Sequence, residues 1–195
     1  MNFKKESFLK EAVKIVVPLI IIAGISGGII AGVFSATKQK IEYQNKKRIE
    51  TAIFSILPET KKIEETETAS RILYKCKDEK GDLIAVAFIA VGPGYQDVIK
   101  VLVVADKELN VVKGIEILES VETPGLGAKI NELAFKSQFE EAAANFELSK
   151  EFSKKEKDKT VIQAITGATI SSRAVVDIVN AEIAEIKKII VETNK

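Results

Sequence analysis

Hydrophobic and polar positions divide the chain into one long apolar run, an amphipathic stretch and a longer region of alternation. No charged residue occurs from Ile15 to Ala36. At about 1.5 Å per helical residue, such a run crosses about 30 Å of hydrocarbon. Residues 1–14 precede it as a short basic, mixed-charge head with Lys4, Lys5, Lys10 and Lys14. Pro18 sits near the start of the run, where a missing N–H does little harm. Gly24, Gly28 and Gly32 fall at small-xxx-small spacing, either a packing face for a partner helix or ordinary membrane-helix glycine. A cleaved signal peptide competes with an anchor here. The run exceeds the roughly 7–15 apolar residues of a signal peptide, which favours a retained single span over 15–36. Lysines and arginines flank it on both sides, so charge leaves its orientation open.

Beyond the span, Lys38 to Leu57 reads as a polar, then amphipathic helix with Ile41, Ile49, Ala52, Ile53 and Ile56 near one face and Pro58 at its exit. Lys61 to Thr68 is charged and breaker-like, so residues 37–68 read as connecting helix and linker, with the globular part at 69–195. Four strands follow. Ile72, Tyr74 and Cys76 alternate with their neighbours, Asp78 to Asp82 turns the chain, and Leu83 to Val91 completes a hairpin. Gly92 to Tyr95 reads as a loop before strands at Val98 to Ala105 and Val111 to Leu118. Strands at this spacing predict an antiparallel sheet. Leu133 to Phe146 reads as one or two short helices with Phe135, Phe139, Ala142, Ala143 and Phe146 inward. Ser149 to Lys159 is a solvated charge run, and Ser172 to Val191 is a core-facing helix carrying Val175, Ile178, Val179, Ile183, Ile186, Ile189 and Ile190. The fold class is α+β.

Composition narrows the chemistry. The 195 residues carry 29 basic and 28 acidic side chains, a net charge of +1 that gives no sign of a nucleic-acid partner. There is no histidine and one cysteine, Cys76. Zinc and iron–sulfur centres of the usual kind are therefore excluded, as are Ser-His-Asp and Cys-His nucleophiles. Cys76, in an alternating run, reads as core filling. Any redox chemistry has to come from a non-metal cofactor.

Two short stretches hold the candidate chemistry. Gln163-Ala164-Ile165-Thr166-Gly167-Ala168-Thr169 runs into Ile170-Ser171-Ser172 where strand-like apolar residues give way to helical spacing. A strand-to-helix turn of small residues leaves N–H groups at a positive helix end, suited to a phosphate. The stretch lacks the second glycine and the lysine of a P-loop. Alone, it is equally a helix start capped by Thr169, Ser171 or Ser172. The other stretch is Glu122-Thr123-Pro124-Gly125-Leu126-Gly127, in which Thr123 to Leu126 suits a type II turn and Gly127 suits close backbone approach.

TGAT followed by Ile-Ser-Ser resembles the flavinylation motif shared by the G protein of the Rnf complex and the C protein of the Nqr complex, and ETPGLG resembles a second loop of the same family. The two lie in the family's order, and with the anchor the resemblance spans nearly the whole chain. It implies a single transmembrane helix followed by an FMN-binding domain, with FMN held covalently through a phosphoester to Thr169 and attached by a separate flavin transferase. Thr166, Gly167, Ala168, Ser171 and Ser172 would surround the phosphate or ribityl oxygens. Glu122, Thr123, Gly125, Leu126 and Gly127 would line the flavin, with Lys129 and Tyr95 as further candidates; Tyr95 packing on the sheet is the alternative. Gln163 stands where the family's Dxx(S/T)GAT pattern has Asp, and Ser120-Val121 stands where relatives carry a basic residue or histidine.

The same resemblance implies an electron carrier, not a complete enzyme, within a complex that moves electrons between ferredoxin and NAD and translocates Na⁺ or H⁺. Its partners would be the other Rnf subunits. The N-terminus would be cytoplasmic and the domain on the outer side of the plasma membrane. An NqrC-like protein, a stand-alone anchored flavoprotein and a cofactor-free structural domain are the alternative readings.

Overall fold

The computed structural model describes residues 3–68, 71–149 and 160–193. The chain divides into two compact units, Met1–Lys47 and Arg48–Lys195. Helix α1 (Phe3–Ile56) contributes to both. Within the first unit its apolar side chains, among them Ile15, Ile20, Ile29 and Ile30, are exposed. It is the one described helix long and apolar enough to cross a membrane. The helix begins well before the apolar run, which corrects the expected place of Pro18: it is an interior residue. With no N–H there, the carbonyl of Lys14 has no α-helical donor.

The second unit is built on a six-stranded antiparallel sheet whose strands lie side by side in chain order. They are β1 (Lys62–Thr68), β2 (Arg71–Lys77), β3 (Leu83–Pro93), β4 (Val98–Asp106), β5 (Val111–Glu119) and β6 (Ala142–Ala143). Side chains alternate between the faces of a strand, so each strand divides its apolar residues between two layers. Val86, Phe88, Ala90, Val101, Val103, Ile115 and Ile117 face one way. They pack under helix α3 (Thr169–Thr193), chiefly Val175, Val179, Ile183 and Ile186. Cys76, Ala85, Ala87, Leu102 and Val104 face the other way, beneath Ile49 and Ile53 from the last turns of α1. The central strands are apolar on both sides because helices cover both sides.

Several expectations are corrected. Lys62–Thr68 is an edge strand, not linker, and pairs with β2 along its full length from Lys62 opposite Lys77 to Thr68 opposite Arg71. Its alternation escapes a hydrophobicity reading because most of its positions carry polar side chains. Glu64 joins Lys77 at 2.7 Å and Lys62 at 2.9 Å, and these lysines hold its carboxyl down at about 2. Gly92 and Pro93 belong to β3, opposite Ile99 and Val98, leaving a shorter loop before β4. The 133–146 segment gives only a single helical turn, α2 (Leu133–Lys136), with a 3-10 turn at Ser137–Phe139. Ala142 and Ala143 then join the sheet, beside Val112 and Val111. The phenylalanines are inward as expected: Phe139 meets Phe135 and Phe146 edge-on at 5.6 and 5.0 Å between ring centres.

A small parallel pair that the sequence does not announce, β7 (Glu147–Ser149) and β8 (Val161–Gln163), delivers the chain to the start of α3. The charge run expected after Ser149 falls on residues 150–159, outside the described residues.

Candidate functional site

Two turns meet at the N-terminal end of α3. After β5 the chain makes the type II turn expected of Thr123-Pro124-Gly125-Leu126: the Leu126 N–H donates to the Thr123 carbonyl at 3.1 Å and Gly125 has φ +77°. A 3-10 turn, Gly127–Asn131, follows. After β8, a tight turn from Ile165 to Ala168 closes with an Ala168 N–H to Ile165 carbonyl bond of 2.9 Å, and Gly167 has φ +80°. Only glycine takes such φ values at little cost. The turns lean on each other, since a Cβ on Gly167 would lie 3.2 Å from Cδ2 of Leu126.

Helix α3 starts at Thr169, and its first helical bond runs from the Ser172 N–H to the Ala168 carbonyl at 3.0 Å. The N–H groups of Thr169, Ile170 and Ser171 precede that bond, so they have no acceptor within the helix. The Thr169 side chain is half-buried, and its hydroxyl has no hydrogen-bond partner among the described residues.

Glu122 ties the loops together. Its carboxyl group is buried and accepts the Tyr95 N–H at 2.7 Å and the Gln96 N–H at 3.3 Å on one oxygen, and the Ser171 hydroxyl at 2.7 Å on the other. Three segments far apart in sequence are thereby held by one side chain. The surrounding backbone has to come close: a Cβ on Gly127 would lie 2.6 Å from both Oε2 of Glu122 and Oγ of Ser171, and one on Gly94 would collide with Oε1 of Glu122.

These elements enclose a cleft of about 390 Å³. Tyr95, Glu122, Thr123, Leu126, Gly127, Gly167, Ala168, Thr169 and Ser171 line it, so most of the residues singled out from the sequence come together. Ile170 also lines it and escaped notice, since nothing marks an exposed isoleucine on the first turn of a helix as a wall of a site. Tyr95 is 62% exposed at the cleft, so the alternative that it packs on the sheet is set aside.

Four expected residues lie elsewhere. Gly125 is at the outer tip of its turn with open space around it. Thr166 and Lys129 line a separate hollow of about 210 Å³, together with Gln163 and Gln138. Gln163 is fixed there by its backbone, whose N–H donates to Oε1 of Gln138 at 2.7 Å. Ser172 is fully buried: its hydroxyl donates to the Ala168 carbonyl at 2.9 Å and accepts the Ile165 N–H at 3.0 Å. The expectation that Ser171 and Ser172 donate to a ligand is corrected on this geometry, because each hydroxyl proton is already used within the protein. The sequence places hydroxyls at the joint but cannot tell a lining hydroxyl from a bracing one.

Cys76 lies across the sheet from this site, fully buried, with burial pushing its thiol up to about 11.

Comparison with known proteins bears directly on these loops. The FMN-binding domain family matches residues 94–184, a span that starts at the Tyr95 loop and takes in both turns. The G protein of the ion-translocating oxidoreductase complex of Methanosarcina acetivorans is 27% identical over 184 residues, 89% of this chain and 94% of that protein. The G protein of the proton-translocating ferredoxin:NAD(+) oxidoreductase complex of Clostridium ljungdahlii is 31% identical over 156 residues, 77% of this chain and 78% of that one. The chain belongs to the G-protein family of these ion-translocating oxidoreductase complexes, the Rnf type. In it, an FMN-binding domain follows an apolar N-terminal helix. The fold is that of NqrC: the crystal structure of the Shewanella oneidensis protein superposes with a TM-score of 0.55 at 24% identity, over 65% of this chain and 64% of that one.

Proposed function

We propose that this chain is the membrane-anchored electron carrier of an Rnf-type complex, with FMN joined to Thr169 through a phosphoester. The observation that carries the reading is the position of Thr169. Its unbonded hydroxyl lies in the cleft, beside N–H groups that have no helical acceptor. The residues fit the group. Gly167 and Ala168 put no bulk between the hydroxyl and the open cleft, and the volume falls within the roughly 300–1,000 Å³ usual for cofactor sites.

When bound, the flavin supplies the electron-transfer chemistry, and the protein supplies the binding and orientation. The first turn of α3 would hold the phosphoester charge, a stabilisation of about 0.3–1 kcal/mol at an exposed helix end. The type II turn sets Leu126 against the Gly167 turn, and Tyr95 and Ile170 offer apolar surface to a ring. With its thiol protonated and buried on the other face of the sheet, Cys76 takes no part. Electrons would pass between neighbouring proteins of the complex, as part of ferredoxin:NAD oxidoreduction coupled to Na⁺ or H⁺ movement. The domain would lie on the extracytoplasmic side of the plasma membrane.

The test is co-expression of the full chain with a flavin transferase, followed by ultraviolet fluorescence of the denatured protein in a gel. Fluorescence that survives denaturation in wild type and is absent from Thr169→Ala supports the assignment. A dark wild-type band overturns it.

A further inference from the structure

We infer that Glu122 is a positioning residue with a second effect: it clasps the three segments of the cleft, and its negative charge holds the reduction potential of a cleft-bound flavin low. The inference rests on the FMN reading above. All three hydrogen bonds at Glu122 are donated to it, by the Tyr95 N–H, the Gln96 N–H and the Ser171 hydroxyl, which is the acceptor-only pattern of a carboxylate. Its side chain is 6% exposed, so little solvent screens it. Among the residues lining the cleft it is the only charged one, and no lysine or arginine offsets it there. The lysine nearest in sequence, Lys129, lines the other hollow.

Uptake of two electrons and one proton leaves a flavin one charge more negative. A fixed anion on the same wall opposes that change, as a like charge opposes ionisation of a neighbouring acid. The field weakens only as the inverse of distance, and a poorly solvated wall transmits it well. The carboxylate therefore favours the oxidised cofactor, suiting a carrier that works with low-potential partners.

The test compares wild type, Glu122→Gln and Glu122→Ala in the full chain. The amide of Gln keeps the shape of the group and removes its charge, whereas Ala removes both. In flavin-free protein, hydrogen exchange at the Tyr95 and Gln96 amides should be slow in wild type, largely preserved in Glu122→Gln and lost in Glu122→Ala. In flavin-loaded protein, a spectroelectrochemical titration should give a more positive midpoint potential for Glu122→Gln than for wild type. Equal potentials in wild type and Glu122→Gln overturn the charge effect, and unchanged exchange in Glu122→Ala overturns the clasp. A wild-type chain that takes up no flavin overturns the FMN reading and with it the claim about potential, while the exchange result still decides the clasp.

Discussion

At the scale of single residues, the site depends on side chains that a ligand would never touch. Ser172 is an example. It links the turn before α3 to the helix, and Ser172→Ala would leave the Ile165 N–H without its acceptor. A loss of about 1–3 kcal/mol of stability is expected on denaturant unfolding, with weaker flavin loading because Thr169 is no longer held at the cleft. Gly127 is another. A methyl group there would press on Glu122 and Ser171 at 2.6 Å. Gly127→Ala should therefore cost about 1–3 kcal/mol by overpacking and reduce loading in the same gel assay. Gly125, which faces open space, differs: Gly125→Ala is penalised only through its positive φ. Both glycines stand in one sequence motif, and only the structure separates the turn-former from the close contact.

Cys76 gives a prediction with a defined sign. Its folded-state value of about 11 lies above the ordinary thiol value of 9.0, so the folded state keeps a proton that the unfolded state loses first. Stability should therefore fall as pH rises from about 9 to about 11, and Cys76→Ser should flatten that limb of the pH–stability curve. Alkylation of the native thiol near neutral pH should be slow and should become fast on unfolding, as measured by mass after iodoacetamide.

At the scale of elements, the strands β2 to β5 and helix α3 were legible because alternation and helical spacing follow directly from which faces are buried. The ETPGLG turn was legible too, since Pro124 and Gly125 each satisfy a backbone requirement of a type II turn. What escaped was held by something other than apolar pattern. β1 is secured by its ladder to β2 and by lysines around Glu64, and β7 and β8 are three residues each. The depressed Glu64 carboxyl implies that this edge contributes stability above the ordinary carboxylate value of 4.5 and loses it as pH falls toward about 2. The C-terminal turns of α1 belong with the sheet, since Ile53 is fully buried against the face that also holds Leu102 and Val104. A fragment beginning at Arg48 should therefore fold with a higher melting temperature than one beginning at Thr60. Ile53→Ala should cost about 2–5 kcal/mol. Equal stability of the two fragments would show that the helix end adds nothing to the core.

For the whole molecule, an apolar helix and a cofactor-type cleft in one chain point to a carrier fixed at a membrane, and the family supplies the complex in which it serves. The full chain should stay in the membrane pellet through an alkaline wash, while a chain beginning at Lys38 should be released. The central claim is narrower and concerns one oxygen atom. Hydroxyls at Thr166, Thr169, Ser171 and Ser172 crowd a single short stretch. The structure puts Thr166 on a different hollow and uses Ser171 and Ser172 as braces. Fragment-ion mass spectrometry of the flavin-bearing peptide, taken from protein matured by its flavin transferase, distinguishes all four. One FMN phosphoester on Thr169 is the predicted result; the flavin on any of the other three hydroxyls, or no adduct at all, contradicts it.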